Sequence, residues 1–240
     1  MRISGRNLYV HSVTSKESMV ISQGISFSAG LGTHDQEIAL PYFLIQERLL
    51  TAMVEMILIG AGKPDYGLVN VFGDDGILTE EILKTFKEIG LEQGLSFDIS
   101  RTKAYGLSTS FSLTLSKISM TSELKMNRVK EGQYVYYVGF EEPVTPMVGE
   151  TRFLPISLME DLAQSSSVGE AVFLKDQSIK EGIGHLLKHT DCIFVETSGG
   201  VDTSLRCKRG GGVVFVSNHK VLRFDEPGLY IAEAGTIYNK

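Results

Sequence analysis

The chain has 240 residues, 42% of them hydrophobic, enough for one large or two small domains with a sizeable core. Its net charge of −6 and pI near 5.4 argue against a broad basic face for nucleic acid. No apolar run reaches the roughly 18–20 residues that cross a bilayer, and the first residues carry no apolar signal core, so no membrane partner is expected. Two cysteines, Cys192 and Cys207, are too few for a disulfide framework or a four-ligand zinc site, and a cytoplasmic location is expected.

Residues 1–18 read as an edge strand and loop, and Met19-Val-Ile-Ser begins a short strand. Residues 24–32 are rich in Gly, Ser and Ala. The end of that run, Gly30-Leu-Gly-Thr-His-Asp, is either an ordinary surface turn or one that aims backbone N–H groups at a phosphate.

Residues 41–75 hold the most informative stretch. Leu50, Met53, Val54, Ile57 and Leu58 follow helical spacing, with Glu47, Thr51 and Glu55 as a narrow polar stripe. Glu55 is either the wet side of this helix or a metal ligand. Gly60 and Gly62 end the helix, and Pro64 prevents its resumption. Residues 68–72 read as a buried strand, followed by Gly73-Asp-Asp-Gly. Asp74 and Asp75 make either a plain connector or an oxygen pair for Mg²⁺.

Thr79 is the expected cap of a helix running to Gly90, with Ile82, Leu83, Phe86 and Ile89 inward and a Glu80–Lys84 pair outward. Residues 91–107 read as a loop. Residues 108–118 alternate Phe111, Leu113 and Leu115 against Ser110, Ser112, Thr114 and Ser116, a half-buried strand with a hydroxyl-rich face. Residues 119–132 are charged and poor in core residues, and the domain boundary is placed there, giving domains 1–126 and 127–240. Tyr134-Val-Tyr-Tyr-Val-Gly is a strand whose tyrosines serve packing rather than base stacking.

A short helix is expected over 155–165, a strand at Ala171-Val-Phe-Leu, and a helix from Ser178 to about Thr190. Ser178 and Glu181 form a capping box there. That helix start, with Lys175 and Lys180, has the ingredients of an anion site, although every helix has such an end. Strands follow at Cys192-Ile-Phe-Val-Glu, Val213-Val-Phe-Val, Val221-Leu-Arg-Phe and Leu229-Tyr-Ile-Ala, with a Ser198-Gly-Gly turn between. No Gly-x-Ser-x-Gly elbow and no P-loop run occurs, and His185/His189 lack the glutamate of a metalloprotease helix.

Met53-Val-Glu-Met-Ile-Leu-Ile-Gly-Ala-Gly-Lys-Pro resembles the helix, Gly-Ala-x-Pro, strand signature of PurM-like ATP-utilising enzymes. These include aminoimidazole-ribonucleotide synthase and thiamine-monophosphate kinase. With Ala29-Gly-Leu-Gly-Thr-His-Asp, Ser178-Ile-Lys-Glu-Gly-Ile-Gly and residues 197–214, the chain is most similar to the α-ribazole kinases of cobalamin lower-ligand salvage. The resemblance implies an α+β, two-domain fold of mixed and antiparallel sheets with helices packed on one face. It also implies a homodimer, ATP and Mg²⁺ as cofactors, a cleft between the domains, and a small nucleoside-like alcohol as acceptor.

Phosphoryl transfer needs positioned phosphates and metal more than covalent help from the protein. Gly30, Gly32, Thr33, His34, Lys175, Ser178 and Lys180 would hold the nucleotide. Asp35, Glu55, Asp74 and Asp75 would hold the metal. No catalytic base is assigned. One departure counts against an active kinase: the family carries an aspartate in its early Ser/Gly run, whereas here Gly24-Ile-Ser-Phe-Ser-Ala-Gly-Leu-Gly has no acid before Asp35. A diverged nucleotide-binding or assembly protein is therefore the alternative. A synthase activating an amide or carbonyl oxygen is a third reading.

Overall fold

The computed structural model describes residues 8–27, 41–73, 76–103, 109–140, 153–207, 211–220 and 228–240. Contacts divide the chain into two compact units. The first comprises 1–56 and 63–122, and the second 57–62 and 123–240.

Unit 1 is a five-stranded sheet in the order β1 (Leu8–Ser12), β2 (Glu17–Phe27), β5 (Ser110–Met120), β3 (Tyr66–Gly73), β4 (Ser96–Lys103). All pairs are antiparallel except β3–β4, which is parallel and needs the crossover helix α2 (Ile77–Gln93). Strand β2 is longer than expected and takes in Gly24–Phe27 of the presumed glycine loop, pairing Gly24 with Leu113.

Alternation settles which face is core. Phe111, Leu113 and Leu115 of β5 are buried beside Val69 and Val71 of β3, and the Phe86 ring of α2 meets the Phe111 ring edge-on at 5.1 Å. The loop expected over 91–107 is instead the end of α2 and strand β4. Gly90 does not stop the helix. A Cβ there would lie 2.6 Å from the Phe97 ring, so this glycine makes room for an aromatic ring. The helix stops at Gly94, which is left-handed at φ 66°. Its N-cap is Gly76, with Thr79 buried in the first turn rather than capping. The expected Glu80–Lys84 pair is not made: Glu80 binds Arg101 at 3.0 Å, and Lys84 lies 3.5 Å from Glu88.

Unit 2 carries an antiparallel sheet in the order β7 (Val168–Phe173), β11 (Gly212–Ser217), β6 (Tyr134–Phe140), β12 (Leu229–Asn239), β9 (Cys192–Glu196). A two-stranded ladder joins β8 (Gln177–Ser178) to β10 (Arg206–Cys207). Helix α3 (Ile156–Gln164) starts after Pro155, and α4 (Ile179–Leu187) buries Ile179, Ile183 and Leu186 against Val135, Val214 and Val216. α4 ends three residues before the expected Thr190. Tyr136 stacks on Phe215 with centroids 5.6 Å apart, and it and Tyr137 are core, while Tyr134 is half-buried. The Tyr137 ring lies over the paired glycines Gly139 and Gly212, filling the space their missing side chains leave, and its oxygen accepts from the Cys207 thiol at 3.3 Å. Burial, then that contact, pushes the Tyr137 phenol well above its ordinary range.

Lys125, read from sequence as part of a charged connector, is 5% exposed. Its ammonium donates to the Leu162, Ser165 and Val168 carbonyls at 3.1, 2.7 and 2.9 Å, closing the C-terminal end of α3. Lys125 and its neighbours Leu124 and Val129, 4% and 7% exposed, are thus buried within unit 2.

Candidate functional site

The glycine–proline corner begins with α1 (Pro41–Leu58), whose Ile45, Leu49, Met53 and Met56 are fully enclosed, as is Ile59 just after it. Gly60 ends it at φ 82°, its N–H donating to the Ile57 carbonyl at 2.8 Å. The Lys125 N–H donates to the Ile59 carbonyl at 2.7 Å, and the Glu123 carbonyl occupies the space where a Gly60 Cβ would go. Gly62 has almost the same φ, 81°, but open space around it. The chain then enters β3, with the Asp65 N–H on the Ser116 carbonyl.

Of the polar stripe of α1, Glu47 is partly exposed, but the other two members are not on a wet side. Thr51 is 8% exposed and Glu55 3%. Thr51 Oγ1 has no hydrogen-bond partner among the described residues. Glu55 is therefore enclosed rather than solvated surface, and it is not without a partner there. At the far end of β3, a Cβ on Gly73 would run into Thr79 Oγ1 and lie 3.2 Å from Thr109 Oγ1. Thr79 Oγ1 is likewise buried and without a partner among the described residues. This hydroxyl pair was missed in the sequence because Thr79 sits where a helix cap belongs.

Gly30, Gly32, Thr33, His34, Asp35, Asp74 and Asp75 lie outside the described residues. Among the described residues no group of three His, Cys, Asp or Glu side chains forms a metal cluster. Of the four proposed metal carboxylates, only Glu55 lies among the described residues.

The start of α4 is described in full. Ser178 Oγ accepts from the Glu181 N–H at 3.2 Å, and the Ser178 N–H donates to the Glu181 carboxylate at 2.6 Å, the expected capping box. Those bonds, the backbone one first, hold the Glu181 carboxyl below its ordinary range. The Ile179 and Lys180 N–H groups donate to the Leu205 and Thr203 carbonyls at 3.1 and 2.9 Å. The N–H groups of the first turn are therefore engaged by the protein itself. The start of α4 thus offers the helix dipole rather than a cradle of open amides.

No protein-family model matches the sequence, and no curated protein matches it. Solved structures do. The chain is similar to Thermotoga maritima PurL complexed with AMPPCP, at 10% identity and a TM-score of 0.68, covering 96% of this chain and 42% of PurL. It is similar to a thiamine-monophosphate kinase, ThiL, complexed with AMPPCP and TMP, at 10% identity and a TM-score of 0.66, covering 100% of this chain and 87% of that one. The Stenotrophomonas maltophilia thiamine-monophosphate kinase gives 10% identity and a TM-score of 0.63, covering 99% and 90%. The chain spans less than half the length of PurL but most of the kinases. It has the PurM-like fold, a mixed α and β architecture.

Proposed function

We propose that this protein is an ATP-dependent phosphotransferase that phosphorylates a small nucleoside-like alcohol such as α-ribazole. The observation that carries the reading is the whole-length match to a thiamine-monophosphate kinase complexed with AMPPCP and TMP. The glycine–proline corner and the enclosed Glu55 on the helix entering it support the reading. In the reaction the acceptor hydroxyl oxygen bonds to the γ-phosphorus of ATP, the bond to the β-phosphate oxygen breaks, ADP leaves, and the hydroxyl proton goes to solvent. Lys175 and Lys180 would offset phosphate charge, while Ser178 and Glu181 fix the helix that carries Lys180. Gly30, Gly32, Thr33 and His34 would bind the other phosphates. Mg²⁺ would fall to Glu55 with Asp35, Asp74 and Asp75; no step is assigned to it.

A second reading, a nucleotide-binding or assembly protein without transfer, is favoured by the engaged amides at the start of α4 and by the missing acid before Asp35. Labelled ATP incubated with α-ribazole and Mg²⁺ separates the two. Label on the nucleoside supports the kinase. Thermal stabilisation by ATP without transfer to any nucleoside-like alcohol supports the second reading. No stabilisation by any nucleotide sinks both.

We also propose a cytoplasmic homodimer. The outer face of the unit 1 sheet carries Leu68, Ile118 and Met120, exposed at 44, 51 and 41%, among the small hydroxyls Ser112, Thr114 and Ser116. Exposed apolar side chains on one sheet face support an interaction surface. Light scattering should give twice the chain mass, and Ile118→Glu should return it to one. A wild-type monomer refutes the dimer.

A further inference from the structure

Among the described residues β4 is the last strand of its sheet, with β3 on one side only. Its other edge therefore presents main-chain N–H and C=O groups in a row, a template for another strand. Helix α2 runs beside this edge. Leu83, Lys87 and Leu91 stand at i, i+4 and i+8 on it, one row facing β4, and Leu91 is 84% exposed.

Two hollows lie between this row and β4, joined at Lys87 and Ile99. The larger, about 570 Å³, is walled by Leu91, Leu95 and Phe97. The smaller, about 320 Å³, is walled by Lys84, Lys87 and Arg101, with Glu80 the one carboxylate among its described lining residues. Arg101 and Lys84 each have a carboxylate nearby, Glu80 and Glu88, whereas Lys87 has no ion-pair partner among the described residues. In a chain of net charge −6, this is a cationic pocket beside an apolar one on an open strand edge.

Side chains two apart on a strand point the same way and stand about 6.6 Å apart, the reach of neighbouring pockets. We infer that this groove binds an extended acidic segment of a partner protein, added to β4 as a further strand. An apolar side chain enters the larger hollow, and a carboxylate two residues away meets Lys87 in the smaller. Main-chain bonds to β4 supply affinity, and the two pockets supply selection. The charge selects sign, because a cation placed against Lys87 is repelled.

The test uses the full chain and a fluorescein-labelled peptide, Ser-Thr-Leu-Thr-Glu-Val-Ser, read by anisotropy. A control peptide carries Lys in place of Glu. Wild type is expected to bind the Glu peptide at least tenfold more tightly than the control, and less tightly as salt rises. Lys87→Glu should lose at least tenfold for the Glu peptide and reverse the preference. Leu91→Asp should weaken both peptides. Both positions are exposed, and unchanged thermal melts of the variants confirm an intact fold. The inference is overturned if wild type binds neither peptide, if Lys87→Glu binds as wild type does, or if the two peptides bind equally. It is also overturned if Lys87→Glu abolishes self-association of the chain without any peptide binding, which would make the groove a contact between copies.

Discussion

Gly60→Ala is expected to destabilise the protein by about 2–5 kcal/mol in urea unfolding, whereas Gly62→Ala is expected to lose only about 1–2 kcal/mol. Both positions sit at nearly the same positive φ, 82° and 81°. Each substitution therefore carries the left-handed strain of an L side chain, about 1–2 kcal/mol. Space separates them. At Gly62 the new Cβ meets nothing, but at Gly60 it strikes the Glu123 main-chain carbonyl, which is tied to its neighbours and cannot swing aside. Overpacking against a fixed group adds about 1–3 kcal/mol. Equal losses at the two sites would show that conformation alone matters at this corner.

Lys125→Met is expected to lower stability by about 2 kcal/mol at pH 7, and the gap to wild type should widen as pH rises. The substitution keeps the side-chain volume but leaves three carbonyls without their shared donor. A buried acceptor left unmade costs about 1–3 kcal/mol, which outweighs the relief of no longer enclosing a charge. Burial, with a smaller push from Arg128, lowers the folded-state pKa of Lys125 to about 8. An unfolded lysine titrates near about 10.4. Between these values the unfolded chain holds the proton and the folded one has released it, so wild-type stability climbs across that window. Lys125→Met has no such group and should lack this part of the slope. Denaturant melts from pH 7 to 10 decide it, and parallel pH profiles for the two proteins would refute the assignment.

What the sequence made legible was local. The helical period of Met53, Val54 and Ile57, the alternation of Phe111, Leu113 and Leu115, and the Ser178–Glu181 box each depend on neighbours within a few positions, and each appears as read. Lys125 did not, because its acceptors lie 37 to 43 residues further on and a lone lysine in a charged stretch carries no sign of them. Strand β4 was hidden because an edge strand buries little: only Phe97 and Ile99 alternate against exposed polar neighbours. Gly90 misled for a related reason, since a glycine that seats a distant ring looks like one that ends a helix. In the candidate site the capping box was readable. The Thr203 and Leu205 carbonyls that occupy its amides were not, because they reach α4 from a turn more than twenty residues later. Glu55 stayed open between solvated side and metal ligand because helical spacing alone does not say how many sides of a rod are covered.

The division of α1 between the two units bears on dissecting the protein. Residues 57–62 belong with unit 2, although unit 1 supplies everything on either side of them. A fragment beginning at residue 123 would thus leave Lys125 without its Ile59 main-chain acceptor and the Glu123 carbonyl without the corner it abuts. During synthesis the second unit has to retrieve a six-residue piece made long before the rest of it, so cutting the gene at the obvious seam separates two bodies that were never written as separate texts.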